Sequence, residues 1–333
     1  MTNLTVVGAT TWGTTLAIIS AREGSETKIL VRSQKEATYL NSQRENTRFL
    51  PGVKIPENAI ATESLDNAFD KSEIILFAVP SHSLRQNAQT VANKIDPEAI
   101  VVSAVKGLEV GSGKRMSEIL AEELPNTDKK NICALSGPNL AMEIVKGKPS
   151  STVIASSDIE VCTKAQRLLN SKQLRIYTND DIIGVEIGGA LKNITAIAVG
   201  ISDGLQFGDN AKAAIITRGL AEIARLGESL GAKKSTFSGL AGMGDLIATC
   251  SSSLSRNNQV GRMLASGQSI QDIHKTMKNV AEGVKTTEAA ISISRATGIN
   301  MPIASSVYDV LFNGIEPTHA VSSLMERAPT SEN

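Results

Sequence analysis

Aromatic side chains are scarce in this 333-residue chain, at 3% of residues with a single Trp, so any interior must be packed from aliphatic groups. Neither sign of charge is in excess: 34 Lys plus Arg face 34 Asp plus Glu, which leaves no global field to attract nucleic acid or an anionic membrane surface. An anion site must therefore be local. Cysteine is nearly absent. Cys133, Cys162 and Cys250 are odd in number, far apart in sequence and without Cys-x-x-Cys or Cys/His spacing. That excludes a disulfide framework and a zinc site, and fits reduced thiols in core positions. His82, His274 and His319 are isolated and show no ligand spacing, so no metal is expected. Long apolar runs are missing as well, none being read as approaching the roughly 18 residues a bilayer span requires. The chain enters its first apolar strand at Leu4 with no basic region before it. The expectation is a cytoplasmic protein without membrane insertion or a nucleic-acid partner.

What is present is an ordinary globular composition, 41% hydrophobic and 20% charged. Single cores stop growing at roughly 250–300 residues, so two domains are expected. The first half alternates short β-branched runs with amphipathic stretches. Leu4–Val7, Lys28–Val31, Glu73–Val79, Ala99–Val105 and Asn131–Leu135 are strand candidates, and their continuous apolar character implies burial on both faces. Strands alternating with helices define an α/β class with a Rossmann-like, doubly wound parallel sheet. Pro80-Ser81, Lys106-Gly107 and Gly137-Pro138 follow three of the strands directly and should line one crevice. Ser151–Ala155 and Leu174–Tyr177 suggest two further strands, antiparallel to the rest. From Gly184 onward Ala, Leu, Ile and Gly recur at helical spacing, with no Pro before Pro302. The division read from this pattern is a dinucleotide-binding domain over 1–183 and a helical substrate domain over 184–333.

Val6-Val7-Gly8-Ala9-Thr10-Thr11-Trp12-Gly13 places a glycine turn between a strand and a helix from about Trp12 to Ala21, the context for delivering a pyrophosphate to a helix N-terminus. Gly8 and Gly13 flank the turn, while Thr10 holds the position where the fingerprint has its middle glycine. About 20 residues on, the second strand ends in Arg32 rather than an acidic residue. This favours a 2′-phosphate and hence NADP(H) over NAD(H), although NAD(H) remains usable; the competing reading is a solvated surface arginine. Downstream, Glu186 to Asn193 carries a Lys192-Asn193 pair on a glycine-bearing helical stretch. Gly239 to Asp245 and Ser255-Arg256-Asn257 add backbone N–H groups, a carboxylate and a guanidinium able to hold a phosphate and a neighbouring hydroxyl.

With these motifs in order, joined by Gly137-Pro138 with Ala141 and Glu143 and by Val280-Ala281-Glu282-Gly283, the chain resembles the bacterial NAD(P)-dependent glycerol-3-phosphate dehydrogenase family from end to end. The resemblance implies reduction of dihydroxyacetone phosphate to sn-glycerol 3-phosphate, supplying phospholipid synthesis, with Lys192 as the proton-transfer residue. It further implies that Lys106, Gly137, Asn139, Lys192, Asp245, Ser255, Arg256 and Asn257 contact the phosphorylated substrate. The dinucleotide is implied to touch Thr11, Trp12, Arg32, Lys106, Ala141, Arg256, Val280 and Glu282 beside the two glycines, and the protein is implied to be a homodimer. Thr10 replaces the family's usual glycine, and Asn139 stands where Ser or Thr is usual. The rival readings are a hydroxyacid or sugar-acid dehydrogenase of the same two-domain plan, and a dinucleotide-binding sensor without turnover, the latter motivated by Thr10.

Overall fold

Eight strands form one sheet: β1 (Asn3–Val7), β2 (Glu26–Leu30), β3 (Ala59–Thr62), β4 (Ile74–Phe77), β5 (Ile100–Ser103), β6 (Ile132–Ser136), β7 (Ser150–Ala155) and β8 (Leu174–Asn179). Their order is β3-β2-β1-β4-β5-β6-β7-β8, parallel from β3 through β6, with β7 antiparallel to β6 and β8 parallel to β7. The computed structural model describes residues 2–277 and 281–328. They group into two compact units, one built from the chain up to 106 with 114–186, the other from 107–113 with the chain from 187 onward. The boundary read at 183/184 falls inside the helix Ile182–Gly204.

Largely apolar central strands produce a sheet with a core on each face. Leu4, Val6, Ile29, Ile74, Leu76, Ile100 and Val102 pack on one side. Val7, Leu30, Ile75, Phe77, Val101 and Ile132 pack on the other. Since successive side chains in a strand point to opposite faces, apolar residues at neighbouring positions supply both cores, with Thr5 and Thr27 buried among them.

β3 has no counterpart among the expected strands. Its Ala-Ile-Ala-Thr lacks the β-branched run that marks a buried strand, and it is set by pairing with β2 rather than by its own preference. Its outer edge is covered by Asn41, whose carboxamide donates to Ala61 O and accepts from Ala61 N, both at 2.8 Å.

The three cysteines are free and buried, as expected, while the reading of the apolar runs is corrected. Cys133 and Cys162, distant in sequence, are neighbours, the Cys133 thiol donating to Cys162; this bond and burial hold Cys133 well above its ordinary pKa. The third thiol, Cys250, is pushed up to about 12 by desolvation. The helix Ile182–Gly204 is long and apolar enough by length and composition to cross a bilayer, contrary to the expectation that no stretch approaches that size. Lys192 and Asn193 interrupt the run in sequence and conceal it. Within the fold, 89% of its most apolar window is buried, and it serves as a core helix.

The second unit is helical, as expected. Around Ile187–Gly204 pack Gly208–Ser229, Asp245–Ser251, Arg256–Ala265 and Glu282–Thr297, and Pro302–Phe312 packs in turn on Gly208–Ser229 and Glu282–Thr297. The contact with Arg256–Ala265 is backbone on backbone: a Cβ at Gly200 would lie 2.1 Å from Asn258 O, and one at Gly261 would lie 2.1 Å from Ile197 O. Glycine at both crossings lets the helices meet without intervening side chains.

Candidate active site

The glycine turn lies at the exit of β1, where the strand order reverses between β1 and β4, the position at which doubly wound sheets bind ligands. Gly8 sits at φ 106°, in the left-handed region, and its N–H donates to Leu30 O at 3.1 Å. A Cβ at Gly13 would lie 2.0 Å from Gly8 O, so the helix Thr11–Arg22 can start this close to the strand only with glycine there. Thr10 is the N-cap. Its Oγ1 accepts from Gly13 N at 3.1 Å and donates to Ala78 O at 2.6 Å. Thr11 follows and donates to Phe49 O at 3.0 Å. The Trp12 Nε1–H is buried without a hydrogen-bond partner.

Arg32 is exposed just beyond β2. On the other side of β1, the exits of β4, β5 and β6 lie side by side, as the crevice reading requires. The Lys106 ammonium, half-buried after β5, donates to Gly137 O at 2.8 Å after β6. A Cβ on Gly137 would come within 2.9 Å of Thr152 Cα, so the turn rests directly on β7. Asn139 donates to Thr152 Oγ1 at 3.1 Å, leaving its shielded Oδ1 without a partner, as is the buried Ser136 Oγ. Ala141 opens the short helix Ala141–Val145. Glu186 serves this unit structurally. Its carboxylate accepts from Arg115 Nη1 at 2.6 Å and from Ser117 N at 2.8 Å, and desolvation raises its pKa.

In the second unit, Lys192 and Asp245 are both buried, at 6% and 1% exposure. The Lys192 Nζ donates to Asp245 Oδ1 at 2.5 Å and to Thr249 Oγ1 at 2.6 Å, while Thr249 donates to Asp245 O at 2.6 Å. The meeting is arranged one turn away on each side. Gly188 precedes Lys192 by four residues and Ala241 precedes Asp245 by four; a Cβ on Gly188 would lie 2.8 Å from Ala241 O. Leu240–Gly244 forms a single π-helical turn, which aims Asp245 into the helix that follows. Asn193 has a separate chain: its Oδ1 accepts from Asn257 Nδ2 at 2.8 Å, and Asn257 Oδ1 accepts from Gly283 N at 3.0 Å. Ser255 caps the helix that begins at Arg256, accepting from Asn258 N at 3.3 Å. Glu282 opens the helix Glu282–Thr297 close enough to act on the Arg256 charge. Val280 lies outside the described residues.

Thr249 is the residue that sequence reasoning missed. Its signal is the four-residue spacing from Asp245, which puts both side chains on one helix face.

A glycine turn at the switch point of a parallel sheet, followed in the chain by a helical unit holding a buried lysine–carboxylate pair, defines the two-domain dinucleotide-dependent oxidoreductases as a class. Residues 3–162 match the family model described as NAD-dependent glycerol-3-phosphate dehydrogenase N-terminus, and residues 181–322 match that for the C-terminus. The glycerol-3-phosphate dehydrogenase (NAD(P)+) of Dehalococcoides mccartyi is 48% identical over 326 residues, covering 98% of this chain and 91% of that one. That of Geobacillus thermodenitrificans is 45% identical, covering 100% and 97%. The crystal structure of glycerol-3-phosphate dehydrogenase from Coxiella burnetii superposes with a TM-score of 0.92 at 34% identity, covering 98% and 99%. This chain belongs to the NAD-dependent glycerol-3-phosphate dehydrogenase family, and its cofactor is a nicotinamide dinucleotide.

Proposed function

We propose that this chain reduces dihydroxyacetone phosphate to sn-glycerol 3-phosphate with Lys192 as the proton donor and NADPH as the preferred reductant. The observation that carries the reading is the buried Lys192–Asp245–Thr249 cluster. Two partners at 2.5 and 2.6 Å hold the ammonium in one place, as a group must be held to deliver a proton to one oxygen. In the reverse direction the deprotonated amine takes the hydroxyl proton. Asp245 compensates the charge and orients Lys192, and Thr249 orients both. The Asn193–Asn257–Gly283 chain fixes the neighbouring carboxamide for a substrate hydroxyl.

The turn at Gly8 fits a dinucleotide, since it offers a left-handed glycine, a helix start and the orphan Trp12 Nε1–H. When bound, that group supplies the hydride for the carbonyl carbon. Gly8, Thr11, Trp12, Gly13, Arg32, Ala141 and Glu282 are assigned to holding it, and Gly137, Asn139 and Ser255 to the phosphorylated substrate, with Lys106 and Arg256 serving both. The unpartnered Asn139 Oδ1 supports that place for a hydroxyl, because a shielded acceptor without a donor is otherwise costly. Arg32, where an NAD site carries an acid, supports NADPH. The free thiols support a reducing, cytoplasmic setting, and a homodimer supplying glycerol phosphate for phospholipids completes the reading.

The test is oxidation of NADPH on addition of dihydroxyacetone phosphate. Lys192→Met should lower turnover about 10²–10⁴-fold with little change in NADPH binding. Because that variant strands Asp245 in the interior, Lys192→Arg is measured beside it. Arginine keeps the ion pair yet stays protonated, so it should fold and also fail in turnover. Near-native turnover in both folded variants would move the proton donor elsewhere.

A further inference from the structure

Arg32 has company at the end of β2. Its backbone N–H donates to Glu36 Oε2 at 3.3 Å, while Ser33 Oγ accepts from Glu36 N at 3.3 Å, so the carboxylate is folded back over the start of the helix Gln34–Gln43. On the adjacent strand Leu30 pairs with Thr62, and Val31 N donates to Thr62 O at 3.0 Å. Glu63 therefore leaves β3 level with Val31, the residue that precedes Arg32 in the chain. The Gln34 carboxamide lies against that carboxylate, and with its oxygen and nitrogen exchanged it donates to Glu63 Oε2 at 2.5 Å and Oε1 at 2.8 Å. The exposed Lys35 follows Gln34, so this stretch carries Arg32 and Lys35 beside the carboxylates of Glu36 and Glu63.

We propose that Glu36 and Glu63 set the cofactor ratio, weakening the hold of Arg32 on a 2′-phosphate and offering acceptors to the free 2′-hydroxyl of NADH. The inference rests on the reading that Arg32 meets the adenine-side ribose. A phosphate dianion brought to Arg32 must approach both carboxylates, whereas a ribose hydroxyl donates to a carboxylate readily. The Glu36 carboxylate also occupies the Arg32 N–H that a phosphate oxygen would otherwise accept from. The consequence is an enzyme that uses both cofactors, with NADPH ahead by a modest margin.

The experiment measures dissociation constants of NADPH and NADH by fluorescence titration for the native protein, Glu36→Gln, Glu63→Gln, the double variant and Arg32→Ala, at low and high salt. Each Glu→Gln change should tighten NADPH roughly two- to fivefold, the range for exposed charge pairs, and leave NADH unchanged or weaker. The gain should shrink at high salt, where charges more than about 3–10 Å apart are screened. An unchanged ratio in the double variant, with Arg32→Ala collapsing it, would overturn the role of the carboxylates and keep that of Arg32. A ratio insensitive to Arg32→Ala would remove the arginine reading and this inference with it.

Discussion

Thr10 decides how the pyrophosphate turn differs from the fingerprint. A hydroxyl has one proton, and that of Thr10 goes to Ala78 O while its oxygen caps Gly13 N, so none remains for a phosphate. Only the steric effect of its Cβ is left to act on a ligand. Thr10→Gly should therefore tighten NADPH binding in calorimetry and lower stability by about 1–2 kcal/mol, the sum of a lost hydrogen bond and a weaker cap. Weaker binding would show that the threonine shapes the turn for the ligand. Lys192, Asp245 and Asn257 stood out in sequence as chemical types in ordered motifs. That Asp245 meets Lys192, and Asn257 meets Asn193, was not visible, because each pair spans more than fifty residues and no local period links them.

The long helix works through its glycines as much as through its lysine. Gly188→Ala puts a methyl group against the Ala241 carbonyl, which cannot move without shifting the π-turn that carries Asp245. Alanine normally favours a helix by about 1 kcal/mol over glycine, but here crowding of about 1–3 kcal/mol should win. The expected result is a lower melting temperature together with lower kcat; a stabilised variant of full activity would show that the contact relaxes freely. A second helix depends on a buried carboxylate. Glu222 accepts from Ile303 N at 2.8 Å and Ala304 N at 3.3 Å at the start of Pro302–Phe312, and desolvation raises its pKa to about 7. Its folded value lies above the ordinary 4.5, so the native state holds the extra proton between those values. Its contribution is fully present below about pH 4.5 and is lost as pH rises through about 7, by up to about 3 kcal/mol. Urea titrations from pH 5 to 8 should show native stability falling relative to Glu222→Gln. Parallel curves would rule out titration of this carboxylate. At this scale the parallel strands were legible because burial on both faces favours runs of apolar residues. β3 was not, since a partner strand and Asn41 complete it from outside its own four residues.

For the whole molecule, a ligand that binds only the folded state must stabilise it. NADPH at about 100 times its dissociation constant should add about 2.7 kcal/mol, read as a rise in the thermal transition, with NADH needing a higher concentration for the same rise. No rise with either would remove the glycine turn as a dinucleotide site. The sequence alone determined the two-part plan, the parallel sheet and the helical second half, because these follow from periodicity and burial repeated over many residues. It also carried the family, through motifs whose order survives without coordinates. Tertiary structure decided the rest: the pairing of Lys192 with Asp245 and Thr249, the meeting of Cys133 with Cys162, and the burial of a helix apolar enough for a membrane. Each depends on which surfaces the fold presses together, and the free energy of a buried charge, thiol or apolar face is set by those neighbours rather than by adjacent residues in the chain.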